Sequence, residues 1–173
     1  MSRTPEDARP HALVGMHPIA RVSLSQVVGL VEALDEVGGE ADVASIAQEV
    51  EMDLDRIGPI VDAAELLGLL TVNEGDLRVT SLSRKVLQAN VRERKAIFRD
   101  ILQEVPIFRQ ITEMVRNAGR PVDRKDVLAA LAAQVGARQS EDLLRALVYW
   151  GRYVELVQYD SNSEAFSLRQ PRS

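Results

Sequence analysis

Two stretches of the chain, LLGLLTVNEGDLRVT (Leu66 to Thr80) and VYWGRYVELVQYDSNSEAFSL (Val148 to Leu168), share one layout. Each carries an apolar helical stripe into a glycine and then into two short strand-like segments around polar turn residues. A helix stopped by glycine and followed at once by a hairpin leaves few topologies, because the hairpin has to fold back beside that helix. Upstream of each stretch the order also repeats: helix, short helix, helix. The repeat is one of pattern, not of residues.

In the first half, Ser23 or Ser25 caps a helix with Val27, Val28, Leu30, Val31 and Leu34 on one face, and Gly38-Gly39 stops it. Asp42 caps a short helix through Val50. Asp53 opens a third, with Leu54, Ile57, Ile60, Val61, Ala64 and Leu67 as its buried stripe. Pro59 is acceptable there in or near the first turn, and Gly68 is the stop. Strands at Leu69–Val72 and Leu77–Thr80 flank the turn Asn73-Glu74-Gly75-Asp76. Helices are then expected over Ser81–Asn90, Val91–Val105 and, after a break at Pro106, Ile107–Asn117. Further helices follow at Arg124–Val135 and Ser140–Trp150, the last ended by Gly151. A second hairpin joins Tyr153–Tyr159 to Ala165–Leu168.

The expected fold is mainly α with small β-hairpins (α+β): tandem winged-helix-like units joined by central helices. The predicted division is a flexible N-terminal tail (1–21), a first unit (22–83), connecting helices (84–106), a second unit (107–168) and a C-terminal tail (169–173). The length of 173 residues suits one domain or two small ones sharing a core.

Charge is unevenly placed along the chain. Met1 to Ser83 holds 15 acids and 5 bases, Arg84 to Lys125 holds 11 bases and 5 acids, and the remainder is near balance. Such asymmetry suits charge-guided docking. The basic run Arg92, Arg94, Lys95 and Arg99 lies in the central helix, largely turned away from its apolar face. It is read either as a solvated face or as a partner surface. Trp150, Tyr153 and Tyr159, with Arg152 among them, form an aromatic concentration that serves either core and hairpin packing or partner anchoring.

A helix-turn-helix reader of DNA presents Arg, Lys, Asn or Gln from its second helix. Here that helix offers Asp53, Asp55, Asp62 and Glu65 against Arg56, and the hairpin adds Glu74 and Asp76. Phosphates would be repelled, and the second unit is little better, since Glu141 and Asp142 offset Arg145 and Arg152. Catalysis has no candidate either. There is no cysteine, no G-x-x-x-x-G-K-[ST] or G-x-G-x-x-G loop, and no Ser-His-carboxylate pattern. The only histidines, His11 and His17, lie in the tail without compelling metal partners. The sequence is read as a non-enzyme with no cofactor and no metal. No apolar run reaches the roughly 20 residues of a membrane span, and the polar start is no signal peptide, which together with the lack of cysteine suits a cytoplasmic protein.

Three stretches carry a resemblance: VSLSQVVGLVEALDEVGGEADVASIAQEV, VDAAELLGLLTVNEGDLRVTSLSRKVLQANVRERKAIFRDIL and WGRYVELVQYDSNSEAFSL. From Val22 to Leu168 the chain resembles the AAA-associated C-terminal domain found behind the ATP-binding subunits of nitrate/sulfonate/bicarbonate-type ABC transporters. Its most telling pieces are Glu74-Gly75-Asp76, Glu93-Arg94-Lys95 and Trp150-Gly151-Arg152-Tyr153. The resemblance implies a non-catalytic regulatory or accessory module bound to a transporter ATPase, peripheral to the inner membrane through that partner. The ATPase domain that precedes it in those subunits is not in these residues, so ATP hydrolysis is not implied. The Met-Ser start and polar lead favour an independent protein. Homodimerisation through oppositely charged halves, a DNA-binding transcriptional regulator, and a sensor holding an anion at a helix N-terminus are the alternative expectations.

Overall fold

The computed structural model describes residues 21–169. His11, His17 and the expected tails, except Arg21 and Arg169, lie outside the described residues. Local signals account for most helix starts. Ser23 and Gln26 form a reciprocal capping box that opens α1 (Leu24–Glu36). The Asp42 carboxylate accepts the Ala44 amide at 2.8 Å to start α2 (Val43–Glu49), and Asp53 accepts that of Arg56 at 2.9 Å to start α3 (Leu54–Leu66). Each such cap satisfies an otherwise unpaired N–H and contributes about 1 kcal/mol.

Pro59 lies inside α3, one turn deeper than expected. It removes the amide that would bond to the carbonyl of Asp55. Gly58 before it eases the restriction proline places on its predecessor, and the helix continues to Leu66 with Ile57, Ile60, Val61, Ala63 and Ala64 buried. It then runs through Gly68, whose φ of 76° suits the left-handed stop, into β2 (Leu70–Asn73) and β3 (Asp76–Val79). Glu74 and Gly75 both have positive φ, 49° and 87°, as a two-residue type I′ turn requires.

The pattern reading missed β1 (Glu40–Asp42), which pairs antiparallel with β3 and completes a three-stranded sheet in the order β1-β3-β2. Three residues carry no readable alternation, so the strand is set by its tertiary partner.

Two helices follow, α4 (Ser81–Gln88) and α5 (Val91–Glu104), each opened by a capping box: Thr80 with Ser83, and Asn90 with Glu93. Then the first order of elements recurs: α6 (Pro106–Ala118), β4 (Val122–Asp123), α7 (Arg124–Val135), α8 (Ala137–Tyr153), β5 (Val157–Asp160) and β6 (Ala165–Leu168). The second sheet has the order β4-β6-β5, matching the first. Equivalent backbone bonds tie each sheet to its second helix: Val43 N–H to the Gly75 carbonyl at 2.8 Å, and Arg124 N–H to that of Glu164 at 2.7 Å. The architecture is therefore mainly helical α+β, with two small antiparallel sheets.

Gly151 does not end its helix. α8 continues to Tyr153, and a Cβ at Gly151 would stand 3.1 Å from Val157 Cβ. The glycine lets β5 lie against the helix; it is a close approach and not a stop. Buried apolar residues of both halves form one cluster. At its centre Trp150 is fully buried, edge-on to Phe108 at 6.1 Å, with its indole N–H donating to the Val22 carbonyl at 2.8 Å.

Candidate interaction site

The last three turns of α8 present a second, outward face. Arg145, Tyr149 and Arg152 recur at helical spacing, with Val148 and Tyr153 beside them. Tyr149 and Tyr153 are 53% and 45% exposed, unusual for rings that bury well. With the start of α1 (Ser23 to Ser25), Arg124 at the start of α7 and Tyr159 of β5, this face walls a groove of about 730 Å³. Trp150 contributes to its base while remaining buried.

The polar groups in the groove are partly set in place. Arg124 pairs with Glu141 at 2.7 Å. The Arg152 guanidinium lies 5.4 Å from the centre of the Tyr159 ring and donates to the Tyr159 carbonyl. Tyr159 in turn packs on Phe166, ring centres 4.7 Å apart. Arg145 is exposed. A concave surface of rigid aromatics and guanidiniums is suited to gripping a protein surface with carboxylates, since Tyr and Arg provide large contact area and charge-assisted bonds. The opposite unit's α3 exposes Asp53 and Asp55, with Asp62 and Glu65 half-buried.

The residues singled out from the sequence take different roles. On α5, Arg92 is exposed, but the other bases are half-buried and are not turned away as expected. Arg94 donates to the Val86 carbonyl at 3.1 Å and to that of Ala89 at 3.5 Å, closing the end of α4. Lys95 stands 5.1 Å from the centre of the Tyr153 ring. Arg99 donates to the Val154 carbonyl at 2.7 Å and lies 3.9 Å from Glu155. The basic run and the aromatic concentration thus meet: Lys95 and Arg99 hold α5 to the end of α8. Trp150 offers a partner no surface, so the anchoring capacity rests on its neighbours. Tyr149, Arg145 and Arg124 were not singled out as partner-binding residues. The first two were detectable, because residues 145, 149 and 152 fall on one helical face opposite the buried Leu143, Leu147 and Trp150; Arg124 reaches the groove only through tertiary packing.

Among the described residues no group of three or more His, Asp or Glu side chains is placed to hold a metal ion, and no helix is long and apolar enough to cross a membrane. The fold and groove define a class: a mainly helical α+β chain with an exposed aromatic and arginine surface. A family model, that of the C-terminal AAA-associated domain, matches residues 44–160, from the first turn of α2 to the end of β5. The chain belongs to this family, whose description ties it to AAA ATPases. No curated protein and no solved structure matched the chain.

Proposed function

We propose that the chain is a non-catalytic accessory module that regulates the ATP-binding subunit of a nitrate/sulfonate/bicarbonate-type ABC transporter, docking through the groove on α8. In this reading it is cytoplasmic and reaches the inner membrane only through its partner. The observation that carries the proposal is the exposure of Tyr149 and Tyr153 beside Arg145 and Arg152 in one groove. We read the repeated order of elements as winged-helix-like, with α8 in the place of the helix that reads DNA in such proteins. That helix exposes Arg138, Arg145 and Arg152, which favours a second reading as a transcriptional regulator. The hairpins argue against it: Glu74 and Asp76 in one, Asp160 and Glu164 in the other, are exposed where phosphates would pass.

The test is co-purification of the tagged chain with the transporter ATP-binding subunit from nuclease-treated native cells, followed by titration of the purified pair. Tyr149→Ala with Arg145→Glu is expected to weaken binding about 30-fold or more, as loss of a hot-spot residue does. An undiminished affinity in that variant removes the groove from the reading. Duplex DNA binding that falls steeply with salt, without ATPase capture, transfers the assignment to the regulator.

A further inference from the structure

A second groove, of about 980 Å³, is separate in its lining from the one on α8. It is bounded by the end of α5, the end of α6 with the turn into β4, the residues after α8, and the end of β6. Four arginines line it, Arg99, Arg116, Arg120 and Arg169, against one carboxylate, Glu155. In a chain of net charge −5 this local excess of three positive charges runs against the whole. Guanidiniums stay charged at any physiological pH, so gathering four of them is opposed by mutual repulsion. Packing explains part of the set. Arg116, in the last turn of α6, complements the helix dipole, and Arg99 closes the end of α8 through the Val154 carbonyl. Neither reason reaches Arg120 or Arg169.

Glu155 bridges part of the cluster, 3.0 Å from Arg169 and 3.9 Å from Arg99. It does so from a backbone φ of 60°, at the helix-end position where the first unit has Gly68. An L side chain is held there in a conformation that glycine adopts freely. Among the described residues, Arg116 and Arg120 have no carboxylate partner. One internal anion therefore sits between two arginines, with two more cations unneutralised in the same groove.

We propose that this groove binds a multiply charged phosphate, a di- or triphosphate chain, which displaces the Glu155 carboxylate from Arg169 and Arg99 and engages Arg116 and Arg120. Guanidinium forks match phosphate oxygens in pairs, and an excess of three charges selects a polyanion over a monovalent ion. The groove lies at the carboxyl end of α6, so the positive field comes from side chains and not from a helix N-terminus.

Calorimetric titration of the full chain with inorganic tripolyphosphate, pyrophosphate and orthophosphate at low ionic strength, without magnesium, tests this. Affinity is expected to fall in that order, with one tripolyphosphate bound per chain. Arg116→Glu with Arg120→Glu, both exposed, is expected to weaken tripolyphosphate binding about 30-fold or more, the scale of two lost charge-assisted contacts. Glu155→Gln is expected to tighten it about 3- to 10-fold by removing the competing charge. Arg145→Glu, in the α8 groove, leaves it unchanged, so this result stands or falls apart from partner docking. ATP binding at least as tightly as tripolyphosphate supports the site with a nucleotide as the source; tripolyphosphate alone binding supports it with free polyphosphate. No saturable binding, indifference to the double variant, or tighter binding of hexaglutamate than of tripolyphosphate overturns the proposal.

Discussion

Gly68 and Glu155 occupy the same place in the two units, each just past the helix that leads into a hairpin. In the first unit, Leu69 N–H returns to the Ala64 carbonyl and Gly68 N–H to that of Glu65; in the second, Leu156 returns to Gly151 and Glu155 to Arg152. Around this shared geometry the materials differ. All seven aromatic residues lie from Phe98 onward, so the first unit contributes only aliphatic side chains to the shared core. Its helices open with side-chain caps at Ser23, Asp42 and Asp53, whereas α6, α7 and α8 have no side-chain cap hydrogen bond. The first unit is specified locally, and the second by what its helices bury. α8 places Trp150 on its inner face and Tyr149, Arg145 and Arg152 on its outer face.

The strongest way to break this comparison is at Trp150. Trp150→Ala empties the centre of the second unit and releases the Val22 carbonyl, and is expected to cost about 3–5 kcal/mol. Trp150→Phe keeps most of the packing and isolates the hydrogen bond, at about 1–2 kcal/mol. Leu67→Ala in the aliphatic unit costs about 2–5 kcal/mol. Urea unfolding followed by circular dichroism measures all three. Since the buried cluster is continuous across the units, one transition is expected for each variant; two separated transitions would show that the halves unfold independently.

Helix caps sharpen the contrast at smaller scale. Asp42→Ala removes the acceptor for the Ala44 amide, and a loss of about 1 kcal/mol is expected. Asp123 stands at the corresponding start of α7 but its side chain makes no cap bond, so Asp123→Ala is expected to cost less than about 0.5 kcal/mol. Equal losses in urea unfolding would contradict the claim that the two units are specified differently.

This difference also explains what was legible in the sequence. Ser23, Asp42, Asp53 and Gly68 are signals within a few residues of the boundaries they set, and those boundaries were readable. Gly151 misled because a glycine near a helix end looks the same whether it stops the helix or admits Val157 against it. β1 and β4, three and two residues long, exist only through their pairing with the hairpins. The basic character of α5 was plain, but its use was not. Arg94, Lys95 and Arg99 each reach a carbonyl or ring contributed by another element, and no spacing along one helix encodes that. Of the α8 groove, Arg152 and Tyr153 stood out by composition, while Tyr149 and Arg145 required the helical face to be separated from the buried one.

The two hairpins supply the finest test. The first turns on the positive φ of Glu74 and Gly75. The second uses a longer loop, in which the Asp160 carboxylate accepts the amides of Asn162 at 2.8 Å and Ser163 at 3.4 Å. Those two backbone hydrogen bonds, Asn162 first, hold the Asp160 carboxyl below its ordinary value of 3.8. Because the folded value is depressed, the carboxylate's contribution is present above the unfolded value and is lost as pH falls through the folded one. On acidification from about pH 5 to about pH 2.5, the Asn162 and Ser163 amides should lose protection before the Val43 amide, which donates to the Gly75 carbonyl of the first turn, as seen by hydrogen exchange after correction for the intrinsic rate. Asp160→Asn keeps an acceptor oxygen in the same place but cannot titrate, so it should remove the pH dependence while leaving the loop closed at neutral pH. If the second hairpin opened with acid in Asp160→Asn as readily as in the parent, the loop would be held by its packing on Phe166 and Tyr159 instead, and the two hairpins would differ in length alone.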